Sequence, residues 1–353
     1  MNTLHPSTLS GVAYPADVNA MLAEICEHFV EHSDVVVSEQ GASLRSEDWA
    51  IDVTTADERL MIEIRTENDQ MLAATRTMFA EHLFYFAGDE PFTLEWSIPA
   101  PKVRPPGFHE ATVVGSQIVT PRMRRVILAV DDVTPFVGGD MHVRVLVPPV
   151  GRVPVWPKLQ ENGRIGWPEG EDELLVRVYT IRSVDQEANH VSIDFLQHPK
   201  PGVATPGADF ARDVEAGQRV ALMGPGGGSL PAAKSILFSG DETALPAIAR
   251  MVEEAPVGTT IKAIIEVEDA GEEQAISHGE PVSVEWLHRS TYPQEGSGSL
   301  VERLKAEIDQ TSRETFVWFA GEKSDVRTIK RYLAEKDRDR KQQYVAWYWR
   351  NED

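Results

Sequence analysis

The sequence predicts a multidomain protein: an N-terminal α+β module, an antiparallel β-barrel, and an α/β domain with a parallel sheet. Three observations predict it. Residues 1–100 hold 18 acidic and four basic residues, a net −14, leaving −8 of the total −22 for the other 253. Residues 98–107, IPAPKVRPPG, carry four prolines in ten positions, the composition of a stiff linker. Beyond them, strand-like runs without intervening helices give way near residue 230 to strand–helix alternation. The expected boundaries are 1–98 for the module, 99–108 for the linker, 109–230 for the barrel and 231–353 for the α/β domain with an aromatic C-terminal tail.

In the module, Val18, Met21, Leu22, Ile25 and Phe29 recur at helical spacing. Strand-like DVVVS, WAIDVTT and RLMIEIR follow, then a second helix in DQMLAATRTMFAEHLFYFA and a strand in FTLEWS. The barrel strands are EATVVGSQIVT, MRRVILAV, MHVRVLVP, LLVRVYTIRSV, HVSIDFLQH and QRVALMG, a number that suits a small closed barrel. The last domain alternates KSILFSG, helical ETALPAIARMVEEA, TTIKAIIEVED, PVSVEWLHR, helical SLVERLKAEID, TFVWFAG and helical SDVRTIKRYLAEK.

Composition excludes several classes. With 42% apolar and 25% charged residues the chain reads as soluble and globular. No run approaches the roughly 20 apolar residues of a membrane span, and the opening MNTLHPSTLSGVAYP lacks the basic flank and apolar stretch of a signal peptide. A net charge of −22 argues against a nucleic-acid partner. The single cysteine, Cys26, excludes an internal disulfide, fits a reducing cytoplasm, and excludes a cysteine-ligated iron–sulfur cluster within one chain. A cytoplasmic monomer is expected.

The junction between the last two domains carries a local signal. GPGGG, residues 224–228, is a backbone that can approach a ligand and turn N–H groups toward an anion. A helix beginning after Gly240-Asp241 offers its N-terminus at the sheet edge where open α/β folds bind dinucleotides. An interdomain loop followed by an ordinary capped helix explains the same pattern. No Gly-Lys-Ser/Thr follows, so the loop is not a P-loop.

RVYTIR (177–182), GPGG (224–227), GDETALPAI (240–248), WFAGE (318–322) and YWR (348–350) together resemble, in order and spacing, the siderophore-interacting proteins. These are FAD-dependent NAD(P)H ferric-siderophore reductases of the ferredoxin-reductase-like superfamily. The resemblance covers residues 105 to 353. The first hundred residues resemble an uncharacterised module found ahead of some family members.

The resemblance implies non-covalent FAD on the barrel and NADH or NADPH on the α/β domain. It makes RVYTIR the flavin cradle. Arg177 holds the pyrophosphate, Tyr179 packs on the isoalloxazine, Thr180 lies near the reactive ring nitrogen, and Ile181 follows in the strand. Tyr179 and Thr180 are the expected catalytic pair, and Arg182 helps at the pyrophosphate or faces substrate. A second FAD segment, 194–211, contributes Asp194, Leu196, His198, Gly202, Ala204 and Thr205. It departs from the family at Pro199, where Gly is usual, and at Phe210, where Trp is usual. Gly224, Gly226 and Gly227 complete the cofactor set. Asp241, Glu242, Thr243 and Ala244 shape the nicotinamide side. Trp347, Tyr348 and Trp349 cover a cofactor ring or pack into the core, with Trp347 standing where the family has Gly.

Glu266 and Glu268 would repel a 2′-phosphate and favour NADH, whereas Arg289, Lys323 and Arg327 offer the opposite preference; the balance leans to NADH. The ferric siderophore substrate needs a local basic patch in so acidic a chain, with Arg144, Lys158, Arg164, Arg182 and Arg350 as candidates. His28, His32 and His82 border apolar helix faces, and no metal site is assigned to them. The implied reaction is hydride transfer to FAD N5 and two single-electron steps to ferric chelates. The rivals are a general flavin reductase or donor to a protein acceptor, and a non-enzymatic FAD-containing sensor whose acidic module binds a partner.

Overall fold

The computed structural model describes residues 7–30, 33–198, 204–277, 279, 281–291 and 299–351. The chain divides into two units, one of residues 1–108 with 148–174 and one of 109–147 with 175–353.

The first unit opens with β1 (Ser7–Tyr14) and α1 (Val18–Phe29). β2 (Asp34–Ser38), β3 (Gly41–Arg45), β4 (Trp49–Ala56) and β5 (Arg59–Thr66) follow, then α2 (Asp69–Ala87) and β6 (Thr93–Trp96). The strands form an antiparallel sheet in the order β2-β3-β4-β5-β1-β6. Both helices start on side-chain caps: Asp17 accepts from the Asn19 and Ala20 N–H groups, and Asn68 from that of Met71. They lay Met21, Ile25, Phe29, Phe79 and Leu83 on a sheet face built by Leu9, Leu44, Ile51, Val53, Leu60, Ile62 and Ile64.

Next come β7 (Phe108–Thr120), β8 (Met123–Val130) and β9 (His142–Val147), which belong to the barrel. Residues 148–174 then return to the first unit, contrary to a barrel running unbroken from 109 to 230. Their hairpin of β10 (Lys158–Leu159) and β11 (Ile165–Gly166) is tied in by backbone and side-chain bonds. The Trp96 indole donates to the Asn162 carbonyl at 2.8 Å, and the Ile165 N–H to Glu81 at 2.8 Å. The proline-rich segment is no free linker either. Ala100 N–H donates to Glu161 O, and Leu159 N–H to Val103 O.

The second unit resumes with β12 (Leu175–Asp185), β13 (His190–Leu196), α3 (Pro206–Asp213) and β14 (Arg219–Met223). The barrel closes in the order β12-β13-β8-β7-β14-β9. Val113, Val126, Leu128, Phe136, Val145, Ile181, Ile193 and Leu222 fill its interior.

β15 (Ser235–Gly240), α4 (Leu245–Glu254), β16 (Thr260–Val267), β17 (Val282–His288), α5 (Leu300–Gln310), β18 (Phe316–Glu322), α6 (Lys323–Glu335) and β19 (Gln343–Trp349) complete the unit. The sheet is wholly parallel in the order β17-β16-β15-β18-β19. The expected aromatic tail is thus its fifth strand. Strand order reverses at β15, so the ends of β15 and β18 flank a switch-point crevice. Among the described residues no helix is long and apolar enough to cross a membrane.

Candidate functional site

The site is built where the barrel strand β12 meets the switch point, within the second unit. β12 pairs with β9 through Thr180 and with β13 from Ile181 onward. A strand that changes neighbours leaves its side chains on unequal surroundings, which explains the mixed run RVYTIR. Arg177 is exposed, and its guanidinium donates to the adjacent Val176 carbonyl at 2.8 Å. Val178 lies 63% exposed. Tyr179 is part-buried, one side of its ring against Phe195 with centroids 4.1 Å apart. Its hydroxyl lies so close to Gly207 in α3 that a Cβ there would come within 1.8 Å, so a larger residue would have to displace the phenol. Burial pushes the Tyr179 phenol up to about 12. Thr180 is buried, with its hydroxyl 3.2 Å from His142 Nδ1.

The turn between β15 and α4 leads into the helix that packs on β12. Gly240 is required there, because a Cβ would lie 2.6 Å from the Ala320 carbonyl and 2.4 Å from the Ala244 methyl. The buried Asp241 carboxylate accepts from the Thr243 N–H at 2.8 Å, the Thr243 hydroxyl at 2.5 Å and the Trp349 indole N–H at 2.6 Å. Burial nevertheless raises its pKa above the usual aspartate value. Beside it, Arg289 donates to Glu242 (2.7 and 2.9 Å), Glu266 (3.1 Å) and Glu268 (3.3 Å).

The barrel and this turn are bolted together by α4. The fully buried Arg250 donates to the carbonyls of Ile181 (3.1 Å) and Phe136 (2.8 Å) and to Glu254 at 2.8 Å. These bonds fix the crevice walls at the residue that follows Thr180.

With this geometry in view, the comparisons are decisive. Residues 112–229 match the siderophore-interacting FAD-binding domain, 233–352 match the siderophore-interacting protein family, and 13–97 match DUF2218, a family of uncharacterised bacterial proteins. A siderophore utilization protein from T. fusca is 31% identical, with a TM-score of 0.55 over 70% of this chain and 94% of that one. The chain belongs to the siderophore-interacting protein family.

The ferric vibriobactin reductase ViuB of Vibrio cholerae is 28% identical over 67% of this chain and 87% of its own length. The ferredoxin reductase of carbazole 1,9a-dioxygenase shares the fold at 17% identity, with a TM-score of 0.50 over 68% of each chain. As a siderophore-interacting protein, the chain has a barrel of the FAD-binding type. Its residues fit that cofactor. Val178, Tyr179 and Trp349 (40% exposed) leave apolar surface for a planar ring, and the exposed Arg177 guanidinium suits a pyrophosphate.

Several expected site residues stand elsewhere. Arg182, at a bulge in β12, is held by Glu253 in two bonds of 2.6 and 2.7 Å. The Asp194 carboxylate is taken by Arg125 at 2.6 and 2.8 Å, a structural ion pair beneath the surface. Ala244 is fully buried in the core, and its N–H donates to Asp241 O. The glycine loop spends its polar backbone on the barrel. Gly226 N–H donates to His142 O, and Gly227 O accepts from Met141 N–H. Gly224 joins it to β14, with its would-be Cβ 3.0 Å from the His142 carbonyl.

In the second FAD segment, Leu196 is half-buried opposite Met123, and His198 is exposed with Nδ1 3.3 Å from the Leu196 carbonyl. Ala204 and Thr205 precede α3, where the Thr205 N–H donates to Asp209 at 2.8 Å. Pro199 and Gly202 lie outside the described residues. Phe210 fills the barrel edge against Phe195. Trp347 is 54% exposed beneath the Lys323 ammonium, whereas Tyr348 turns inward.

Of the basic candidates, Arg144 is exposed on β9 directly opposite Val178, and Arg350 is exposed after β19. Lys158 and Arg164 belong to the first unit, not the barrel. Lys158 lines a cleft of about 880 Å3 with Trp96 and Trp167, and Arg164 lies over the Phe84 ring at 4.3 Å. In that unit the rings of His28 and His82 are 4.6 Å apart, and His82 Nδ1 is 2.8 Å from the Met78 carbonyl. His32 lies outside the described residues. No group of three or more metal-ligating side chains occurs among the described residues.

One central residue has no place in the sequence reading. His142 starts β9 and sits between Thr180 and Tyr348, 2.9 Å from the Tyr348 hydroxyl. Burial lowers its pKa to about 4, so the ring is neutral at physiological pH. Its partners are 38 and 206 residues distant, and only the MHVRVLVP strand pattern hinted at its position.

Proposed function

We propose that the chain is a reductase that takes hydride from NAD(P)H onto non-covalently bound FAD and reduces ferric siderophore iron to ferrous by single-electron steps, releasing the iron. The observation that carries this reading is the pairing of the RVYT strand with the Asp241 turn across one crevice, held by Arg250. When bound, FAD supplies two-electron acceptance from a nicotinamide and one-electron donation to iron. The chain's own residues position and exclude water. Arg177 would hold the pyrophosphate, Tyr179 and Trp349 would offer apolar surface to the ring, and Thr180 would offer it a hydroxyl. No side-chain acid or base is needed.

The nucleotide side supports NADH as donor. Arg289, one of the three cations expected to welcome a 2′-phosphate, is engaged by three carboxylates. The remaining negative charge repels that phosphate. For the anionic ferric chelate, Arg144 beside Val178 supplies attraction at the barrel wall. That ViuB is a ferric vibriobactin reductase supports the substrate class.

The test is an anaerobic absorbance titration of the purified protein. Flavin absorbance bleached by NADH and restored by two equivalents of a ferric siderophore is the expected result. A colourless protein that refuses added FAD overturns the reading, and restoration only by free flavin reassigns the acceptor.

A further inference from the structure

The bonded row Thr180–His142–Tyr348 joins the barrel strand proposed to cradle the flavin to the C-terminal strand. Thr180 and His142 face each other in the β12–β9 register, and their side chains meet at 3.2 Å through Nδ1. On the far side, Nε2 lies 2.9 Å from the Tyr348 hydroxyl, with the two rings edge to face at 5.3 Å. Tyr348 reaches inward because it is the extra residue of a bulge: Gly321 pairs with Trp347, and Glu322 with Trp349. The glycine loop closes over the same imidazole. At Gly228, φ is +79° and a Cβ would stand 2.3 Å from Nε2, so this position accepts glycine alone.

A neutral imidazole has one N–H and one lone pair, so the row has a direction. A phenol donates more readily than it accepts. The Tyr348 hydroxyl also bonds to Tyr344; with Tyr344 the donor in that contact, Tyr348 donates to Nε2, the proton of His142 sits on Nδ1, and Nδ1–H donates to the Thr180 oxygen. The Thr180 proton is then left to point away from His142, toward the crevice. We infer that His142 is a positioning residue that lets Tyr348 fix the Thr180 hydroxyl as a donor to the flavin. This rests on the FAD reading above and assigns the glycine loop a second purpose, enclosing the ring that sets this direction.

The test begins with FAD-free protein labelled with 15N-histidine. The expected nitrogen shifts are those of a ring protonated at Nδ1 and unchanged between pH 5 and 8. Protonation at Nε2, or titration near the ordinary histidine value, overturns the proposal. Tyr348→Phe removes one oxygen only. It should move the His142 proton toward Nε2 and weaken FAD binding, read by flavin fluorescence, about three- to tenfold. In a Thr180→Val background the same change should leave FAD affinity within twofold. Additive effects of the two substitutions also overturn it. If no variant and no wild-type protein takes up FAD, the FAD reading fails, while the nitrogen shifts still decide the row itself.

Discussion

The two walls of the crevice solve opposite electrostatic problems. The barrel wall leaves its cations exposed, Arg177 at one end of RVYT and Arg144 across the ladder from Val178. The nucleotide wall binds its cation up: Arg289 is shared among Glu242, Glu266 and Glu268, with Arg122 also on Glu268 at 2.8 Å. Each wall also holds a titratable group that burial shifts, in opposite senses, His142 downward and Asp241 upward. Burial disfavours the charged form of both. A wall with exposed guanidinium groups is suited to hold a permanently bound anionic tail. A wall of nearly neutralised acids is suited to select between two donors that differ by one phosphate.

The largest way to break this comparison is acid. His142 has a folded pKa of about 4 against an ordinary 6.5, with burial as the main cause and Arg250 adding to it against the pull of Asp140. Between those values the unfolded chain binds the proton more readily than the folded one. The stability this residue confers is therefore complete above pH 6.5 and drains as pH falls toward 4. The loss is on the order of 3 kcal/mol. Denaturant melts at pH 7, 5.5 and 4 should trace it, and His142→Gln should flatten that part of the slope. An unchanged slope in the variant means the ring is not held neutral.

Next comes the barrel cation. Arg177→Ala removes a charge-assisted contact to pyrophosphate, an interaction of about 1.5–3 kcal/mol, so FAD affinity should fall roughly 10- to 100-fold. Calorimetric titration with FAD measures it. Because the residue is exposed, its melting temperature without FAD should hardly move.

How far the sequence reached follows from where its signals were local. The six barrel strands were readable because each alternates or runs apolar between turn residues. The switch-point turn was readable because GDETALPAI is contiguous. β1, with its run STLSGVAY, was missed because small and polar residues hide its alternation; only Leu9 and Ala13 are in the core. Residues 148–174 were assigned to the barrel since they lie between its strands, yet Trp156, Leu159 and Ile165 bury themselves in the other unit. The ion pairs that hold Arg182 and Asp194 were not legible, because their partners, Glu253 and Arg125, are 71 and 69 residues away. His142 was silent for the same reason. A hydrogen-bond row that crosses three strands leaves no spacing in the sequence.

On the nucleotide wall, the double substitution Glu266→Gln with Glu268→Gln sharpens the contrast. It removes two negative charges and leaves Arg289 held chiefly by Glu242. The ratio of kcat/KM for NADH over NADPH should fall about tenfold, a change of about 1.4 kcal/mol, with most of it in the NADPH term. A ratio that already favours NADPH in the wild type reverses the assignment of this wall.

The smallest effect separates the two tryptophans of β19. Trp349 is anchored by its indole bond to the buried Asp241, whereas Trp347 is the more exposed and has the Lys323 ammonium 5.5 Å from its ring. Trp349→Phe leaves a buried carboxylate one donor short and should cost about 1–3 kcal/mol in denaturant melts of the FAD-free protein. Trp347→Leu gives up one exposed cation–π contact and should change stability by about 0.5–1 kcal/mol at most. If Trp347→Leu proves the costlier of the two, the aromatic strand is held by its outer face, and the Asp241 bond does not fix its place over the crevice.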